Sequence, residues 1–367
     1  MKKIIFISKV PITNFPRLMS IPFALTELGY NVIIIAPDNL PNIFDDNGKI
    51  EFQTLNFKIR KGGFIAKIMT WFNYRLEVLR KLKSYPKESL IWLSSADSAI
   101  PLLGKVNRYN YILQINELYD GSFIYRVLLK KLSEHSKSIV VPEFNRANIF
   151  RVWFKLNNLP FVLPNKSIIP DSDFVVNDCT SQIISDITRL KSEEYKIIIY
   201  QGHIGKDRDF TNLVEILHEL PIKTHLVLVG NDHEMVVKYK SIYANITWIP
   251  HIKAPAHLAI TKMADLGIIY YNPESLNNIF CAPNKTWEFS KYGLPIISND
   301  IPGMIEATNY YKAGISCNFN SKVELKNGIA NLLNNYSVFS ENAKKMYDEL
   351  DYQGIIHNII ENSIDYK

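Results

Sequence analysis

The chain has 367 residues, of which 47% are hydrophobic and 21% are charged, and its formal net charge is +6. This length and apolar content allow a sizeable core and favour two domains. The three cysteines at positions 179, 281 and 317 lack metal-site spacing and cannot all pair, which argues against a disulfide-stabilised secreted protein. No apolar run approaches the length of a membrane-spanning helix. We therefore expect a cytoplasmic protein, attached at most peripherally to the inner face of the cell membrane.

The charge is unevenly distributed along the chain. Residues 1–165 contain 23 Lys and Arg against 12 Asp and Glu, whereas the remainder is more acidic than basic. A basic first half favours an anionic partner, although a solvated basic surface is an equal alternative. No nucleic-acid-binding motif accompanies these charges, so we expect no nucleic acid and favour an acceptor carried on a lipid phosphate at an anionic membrane surface.

The first half alternates strands and helices. Residues 4–7 and 31–36 are continuous apolar runs typical of strands buried on both faces of a parallel sheet, and helical spacing lies between them at 17–28. This β-α-β opening predicts an α/β doubly wound domain. The pattern predicts further strands at 51–57, 90–93, 111–115 and 138–141, and helices at 64–83, 99–106, 123–132 and 146–156. No G-x-G-x-x-G follows the first strand, so the usual dinucleotide fingerprint is absent.

The helix predicted at 64–83 has two interpretations. One side is apolar: Ile65, Ile68, Trp71, Phe72, Leu76 and Leu79. Its flanks and opposite face are strongly basic, so the helix could lie on an anionic bilayer. We favour a core helix with a basic outer face, in which the apolar side packs inward.

The second half repeats the alternation. Strands are predicted at 196–200, 225–229, 246–249, 266–270, 294–298 and 315–317, and helices at 210–220, 255–263, 283–293, 322–333, 340–349 and 353–363. The predicted domains are 1–165 and 195–335, with a linker at 166–194 and C-terminal helices at 336–367 that return to the first domain. In such folds ligands bind beyond the carboxyl ends of the strands.

Two stretches at predicted strand ends suit an anionic ligand. In the loop 200–210, glycines at 202 and 205 allow close approach of the backbone, and Lys206 and Arg208 supply positive charge. In the second stretch, Pro283 favours a helix start, which directs free N–H groups toward a ligand near Asn284 and Lys285. Glu288 lies one helical turn further on, within reach of a sugar hydroxyl.

These stretches read Y-Q-G-x-I-x-x-x-R and P-N-K-x-x-E-F-x-x-x-G-L-P-I-I-x-x-D-x-P-G, and they resemble the C-terminal domain of GT-B glycosyltransferases of the family 4-like group (glycosyltransferase group 1). Residues 24–37, 115–120 and 161–165 are similar to the N-terminal domain of that group. The resemblance implies two Rossmann-like domains facing each other across a cleft, with a C-terminal helix crossing back to the first domain. It also implies transfer of a sugar from a nucleotide-diphospho-sugar to a glycan or a polyprenyl-phosphate-linked acceptor. The pathway expected is bacterial surface polysaccharide synthesis, such as O-antigen or capsule.

The resemblance also assigns roles to individual residues. It implies that Arg208 and Lys285 hold the donor diphosphate and that Glu288 binds the ribose. The other residues implied to bind the donor are Asn14, Gly202, His203, His251, Ile252 and Asn284. Catalytic positions near the transferred sugar are implied for Asn116 and Glu117. The leaving group would be neutralised by the cations and helix N–H groups, so no metal and no cofactor are expected, and Asp207-Arg-Asp209 is interpreted as a chance D-x-D match.

Two departures from the family pattern concern the sugar end of the donor. Phe280 stands where retaining members commonly have a sugar-binding glutamate, and Asn277 or Asn278 are its candidate replacements. Asn116 stands where many members have histidine. A retaining mechanism is favoured. The alternatives are a nucleotide-sugar epimerase of the same architecture and a catalytically silent nucleotide-sugar binding protein.

Overall fold

A computed structural model describes residues 3–37, 44, 48–60, 62–171, 178–231, 233–250, 252 and 254–364. The chain divides into two compact units, of which the first comprises Met1–Ile169 with Asp351–Lys367 and the second comprises Pro170–Leu350. Within the described ranges, no helix combines the length and the apolar character needed to cross a bilayer.

The first unit is built on one parallel sheet. Its strands are β1 (Lys3–Ile7), β2 (Asn31–Ala36), β3 (Ile50–Thr54), β4 (Leu90–Leu93), β5 (Asn110–Gln114), β6 (Ser138–Val141) and β7 (Phe161–Val162). They are arranged in the order β3-β2-β1-β4-β5-β6-β7, with every neighbouring pair parallel. Its helices are α1 (Pro16–Glu27), α2 (Phe64–Leu82), α3 (Ala96–Ala99), α4 (Phe123–Ser133), α5 (Phe144–Phe154) and α14 (Tyr352–Glu361). The order reverses beside β1, as expected for a doubly wound sheet.

The sequence explains most of this first unit. Ile4–Ile7 are at most 1% exposed, because both faces of the parallel sheet are covered by helices. The C-terminal helix α14 packs against α1, and Ser363 donates a 2.7 Å hydrogen bond to Ser138 at the start of β6. The predicted return of the C-terminal helix to the first domain is therefore confirmed.

Two helix predictions for the first unit are wrong. The helix expected at 99–106 is replaced by the short α3 and separate 3-10 turns, because Pro101 and Gly104, whose φ is +76°, interrupt a continuous helix. Helix α2 forms, but its predicted apolar side does not face inward. Tyr74 and Val78 are fully buried, whereas Phe72 is 58% exposed.

The second unit contains another parallel sheet. Its strands are β8 (Lys196–Gln201), β9 (Thr224–Val229), β10 (Ile246–Ile249), β11 (Leu266–Ile269), β12 (Ile296–Asn299) and β13 (Gly314–Cys317). Their order is β10-β9-β8-β11-β12-β13, again with parallel neighbours. The helices are α6 (Asp178–Ser192), α7 (Thr211–Ile216), α8 (His233–Ile242), α9 (Leu258–Thr261), α10 (Leu276–Ile279), α11 (Asn284–Lys291), α12 (Lys322–Asn334) and α13 (Tyr336–Glu349). Two parallel sheets with flanking helices confirm the predicted α/β class.

The units divide the chain at different positions from the predicted domains. Helix α13 belongs to the second unit, where Ser290 of α11 contacts the Met346 sulfur at 3.7 Å, so the chain returns to the first unit at Asp351 rather than at 336. Helix α6, within the predicted linker, packs Ile187 into the same hydrophobic core as Ile197. Helix α8 was not among the predicted elements.

Candidate functional site

The carboxyl ends of β8, β11 and β12 meet at one edge of the second sheet. The three strands are parallel neighbours, so the residues that follow them are brought together. Gln201 ends β8, Tyr270 and Tyr271 follow β11, and Asn299 ends β12. Helix α11 begins close to this edge, and its first two turns carry the predicted residues Lys285 and Glu288.

Helix α11 is held tightly against the sheet. Pro283 is its N-cap, and the helix ends before Gly293, whose φ of +66° suits the position after a helix end. Phe289 is fully buried, and a Cβ added to Gly267 of β11 would lie 2.4 Å from its ring. Only glycine at 267 therefore allows this close approach, and the core fixes how far the helix start projects.

Arg208 is oriented by the loop after β11. Its guanidinium donates a 3.1 Å hydrogen bond to the Tyr270 carbonyl, and its central carbon lies 3.7 Å from the centre of the Tyr271 ring. Asn299 fixes Tyr271 in turn, accepting a hydrogen bond from its N–H at 3.1 Å and donating one to its carbonyl at 2.8 Å. The Asp207 carboxylate lies 3.5 Å from Arg208 Nε.

Lys285 forms the second cation of this region. Its ammonium lies 4.3 Å from the centre of the Tyr200 ring and close to Gly202, where an added Cβ would be 3.5 Å from Nζ. Burial lowers the pKa of Lys285 to about 7, and the positive charge of Arg208 acts in the same direction against the opposing effect of Glu288. Two cations that disfavour each other are suited to sharing an anion.

Glu288 takes part in a buried polar chain that the sequence did not predict. Its side chain is 8% exposed, and one carboxylate oxygen accepts a 2.5 Å hydrogen bond from Gln201. Thr261 donates to the amide oxygen of Gln201 at 2.7 Å. His257 Nε2 lies 3.5 Å from the same carboxylate oxygen. These contacts fix the carboxylate, and among the residues that the structure describes its second oxygen has no partner, so it is suited to a ligand.

Buried polar atoms without hydrogen-bond partners occur in the same region of the described chain. They are His257 Nδ1 and Thr286 Oγ1. Native proteins leave few such atoms without partners, because each costs about 1–3 kcal/mol. Polar atoms of this kind at the strand ends are suited to binding a polar ligand.

Two glycines bring the loops after β8 and β9 into contact. Gly202 has a φ of +123°, and Gly230 has a φ of +155°. A Cβ added to Gly230 would lie 2.0 Å from the Gly202 carbonyl oxygen, which leaves no room for a side chain. The close approach of Gly230 therefore sets the position of the first loop.

The remaining predicted residues of the second unit make fewer contacts with Arg208, Lys285 and Glu288. His203 is exposed and pairs with Asp207 at 3.1 Å, while Asn284 and Ile252 are half-buried. His251 lies outside the described residues. In Asp207-Arg-Asp209, the Asp209 carboxylate binds Lys238 at 2.8 Å and accepts the Thr211 N–H. Burial alone would raise the pKa of Asp209, but these hydrogen bonds leave it below its usual value.

The sugar-end candidates Asn277 and Asn278 lie on the short helix α10, which Phe280 terminates. Asn278 donates a 2.8 Å hydrogen bond to the Asn272 carbonyl. Its amide nitrogen therefore stabilises the loop in which it lies. Asn277 and Phe280 also have interaction partners, and the structure does not single out one of these three residues for a sugar.

The predicted residues of the first unit have mainly local partners. Asn116 is 6% exposed; it donates to the Ser94 carbonyl at 2.9 Å and accepts from Gln114 at 3.1 Å. Glu117 is half-exposed and lies 3.5 Å from Arg146. Asn14 is exposed at the end of a 3-10 turn. Asn116 thus has a clear structural role, and Glu117 is the more accessible of the two catalytic candidates.

Comparisons with known proteins agree with this architecture. Residues 184–348 match the family described as Glycosyl transferases group 1. An uncharacterized glycosyltransferase of Haemophilus influenzae is 23% identical over 364 residues, covering 91% of each protein. Sucrose-phosphate synthase of Thermosynechococcus elongatus superposes with a TM-score of 0.71 at 14% identity over 98% of both chains. HepE of Anabaena, in complex with UDP and glucose, superposes with a TM-score of 0.68 at 12% identity over 98% of this chain and 99% of HepE.

The structural likeness extends over both units, and the family match covers most of the second unit, including Arg208, Lys285 and Glu288. The roles of these three residues remain predictions, although the structure brings all three to one edge of one sheet. The chain has the GT-B fold, and its residues 184–348 match the family described as Glycosyl transferases group 1.

Proposed function

We propose that this protein transfers a sugar from a nucleotide-diphospho-sugar to a glycan or lipid-linked acceptor. One observation carries the proposal: Arg208 and Lys285 lie at the strand ends beside the start of α11, with Glu288 one turn further along that helix. Two cations and free helix N–H groups suit a diphosphate, and a fixed carboxylate suits ribose hydroxyls. The complex of HepE with UDP and glucose makes UDP the first nucleotide to test.

In this mechanism the protein stabilises the departing nucleoside diphosphate. Negative charge develops on the diphosphate as the bond to the anomeric carbon breaks, and Arg208, Lys285 and the first N–H groups of α11 neutralise it without a metal. Asp209 is already engaged with Lys238, which supports the metal-free proposal. We favour a mechanism that retains the configuration at the anomeric carbon, and we propose that Glu117 contacts the acceptor. The product proposed is a bacterial surface polysaccharide that is assembled in the cytoplasm.

A panel of UDP-, GDP-, CDP- and ADP-sugars tests this function. We expect the sugars of one nucleotide to raise the melting temperature of the protein. The sugar of that donor should be transferred when an acceptor is present and hydrolysed when no acceptor is present. Stabilisation by none of the four would contradict a nucleotide-sugar site. Stabilisation followed by inversion of a sugar centre without transfer would identify an epimerase, and stabilisation without any turnover would identify a binding protein.

The affinity for an intact nucleotide-sugar is expected to fall as the pH rises above about 7. The pKa of Lys285 in the free protein is about 7, so the ammonium is lost above this value, whereas a bound diphosphate favours the protonated form. Titration calorimetry with UDP-glucose measures the effect, because neither phosphate of this diester titrates near neutrality. Lys285→Arg is the control, since arginine stays protonated and the pH dependence should disappear. The same pH dependence in Lys285→Arg would assign it to another group.

A further inference from the structure

Helix α2 of the first unit presents an apolar surface to solvent. We define the α2 surface by Ile65, Ile68, Met69, Phe72 and Leu76, which are 75%, 46%, 41%, 58% and 53% exposed. Their spacing of three and four residues places them along one side of the helix. The opposite side, including Tyr74 and Val78, is buried in the core. The α2 surface is therefore not needed to hold the helix in place.

The surroundings of the α2 surface are strongly basic. Residues 58–83 contain eight Lys and Arg and a single acidic residue, Glu77. Glu77 is already neutralised, since it accepts hydrogen bonds from Arg80 and lies 3.8 Å from Lys81. Lys58, Arg60 and Lys83 are exposed at the two ends of the helix. An occupant of the α2 surface must therefore be apolar where it meets the helix and anionic around it.

A second apolar group lies on the neighbouring helix. Tyr125 of α4 lies 6.1 Å from Trp71 of α2, measured between ring centres, and the Lys67 ammonium lies 4.8 Å from the Tyr125 ring. Close to Tyr125 in the chain, Phe123 and Ile124 are 71% and 61% exposed. Two adjacent helices thus expose large apolar side chains, with the Lys67 ammonium between them.

We infer that the α2 surface docks on an anionic lipid bilayer. At a membrane interface, apolar side chains enter the boundary between headgroups and acyl chains, while lysine and arginine remain among anionic headgroups. A two-fold contact between copies of this chain is disfavoured, because it would place the basic flanks of α2 against each other. The inference extends the proposed function by naming the surface at which a lipid-linked acceptor would be met.

Vesicle flotation tests this docking. The 367-residue chain should float with vesicles of phosphatidylcholine mixed with phosphatidylglycerol, bind pure phosphatidylcholine much less, and dissociate as salt is raised. Ile68→Gln with Phe72→Gln should lower binding roughly tenfold or more, since two large apolar groups no longer enter the interface. Val323→Gln with Val338→Gln is the matched control, because these side chains are 70% and 57% exposed on helices of the second unit.

Several outcomes would overturn the inference. The first is equal vesicle binding by the two double variants, and the second is binding that does not depend on phosphatidylglycerol. The third is a dimer, seen by sedimentation, that dissociates when Ile68 and Phe72 are changed. This last result would assign the α2 surface to a second copy of the chain. Both double variants should unfold at the temperature of the unchanged protein and bind UDP equally. If the unchanged protein does not bind UDP, the proposed function is contradicted, but the vesicle result still stands.

Discussion

Arg208→Ala is expected to lower the affinity for UDP by roughly ten- to a hundredfold, because hydrogen bonds to charged groups contribute about 1.5–3 kcal/mol each. Arg208 is held toward the strand ends by the Tyr270 carbonyl and the Tyr271 ring, so its loss leaves Lys285 as the remaining side-chain cation of the two. Isothermal titration calorimetry measures the change. Melting temperature should fall by only a few degrees, since the lost folded-state contacts are one hydrogen bond to the Tyr270 carbonyl and the stacking on Tyr271.

The control for this prediction is Arg189→Ala on α6, a 68% exposed side chain that lies 3.9 Å from Asp186. It removes the same charge from the second unit without touching the strand ends. Glu288→Ala should also weaken UDP binding, and it should reduce the preference for UDP over its 2′-deoxy form because the ribose contact is lost. Unchanged UDP affinity in both Arg208→Ala and Glu288→Ala would show that the residue assignment is wrong.

Gly230→Ala is expected to lower the free energy of unfolding of the second unit by about 2–4 kcal/mol. The added methyl group would lie 2.0 Å from the Gly202 carbonyl oxygen, and neither loop can move easily because the Gly202 N–H is bonded to Val229 of the adjacent strand at 2.9 Å. Calorimetry should show the melting temperature falling by roughly 5–15 °C. The displaced Gly202 loop should also weaken nucleotide binding in the protein that remains folded.

Gly104→Ala separates the two causes of this destabilisation. Gly104 also has a positive φ, +76°, but nothing lies within 4 Å of its added Cβ. This variant should lose only the conformational term, about 1–2 kcal/mol. If Gly230→Ala unfolds no more easily than Gly104→Ala, the close approach of the two loops does not limit stability.

The sequence was sufficient for elements whose burial is unambiguous. Strands such as Ile4–Ile7 are apolar at every position and so belong between two helical layers, and Pro283 with Gly293 set the bounds of α11 within a residue or two. Helix α2 was different because it is apolar on two sides. Periodicity identified the side with Ile68 and Phe72, whereas the fold buries the side with Tyr74, and no local pattern distinguishes the two.

The site was predictable only in its local parts. Arg208, Lys285 and Glu288 were found because each lies within a short stretch that resembles a known family. The series of hydrogen bonds from Thr261 through Gln201 to Glu288 was not found, since these bonds join residues that are 60 and 87 positions apart in the sequence. Such contacts depend on which strands become neighbours. A glutamine at the end of an apolar strand was the signal available, because a buried amide requires partners.

The hydrogen bonds between Asn299 and Tyr271 have a consequence for how a ligand is received. Through the Tyr271 ring and the adjacent carbonyl, they immobilise Arg208 before any ligand arrives. A free arginine side chain loses about 2 kcal/mol of rotamer entropy when it is fixed, and here much of that loss occurs during folding. The anionic part of a ligand would therefore bind a preorganised guanidinium, and little further side-chain entropy would be lost on binding.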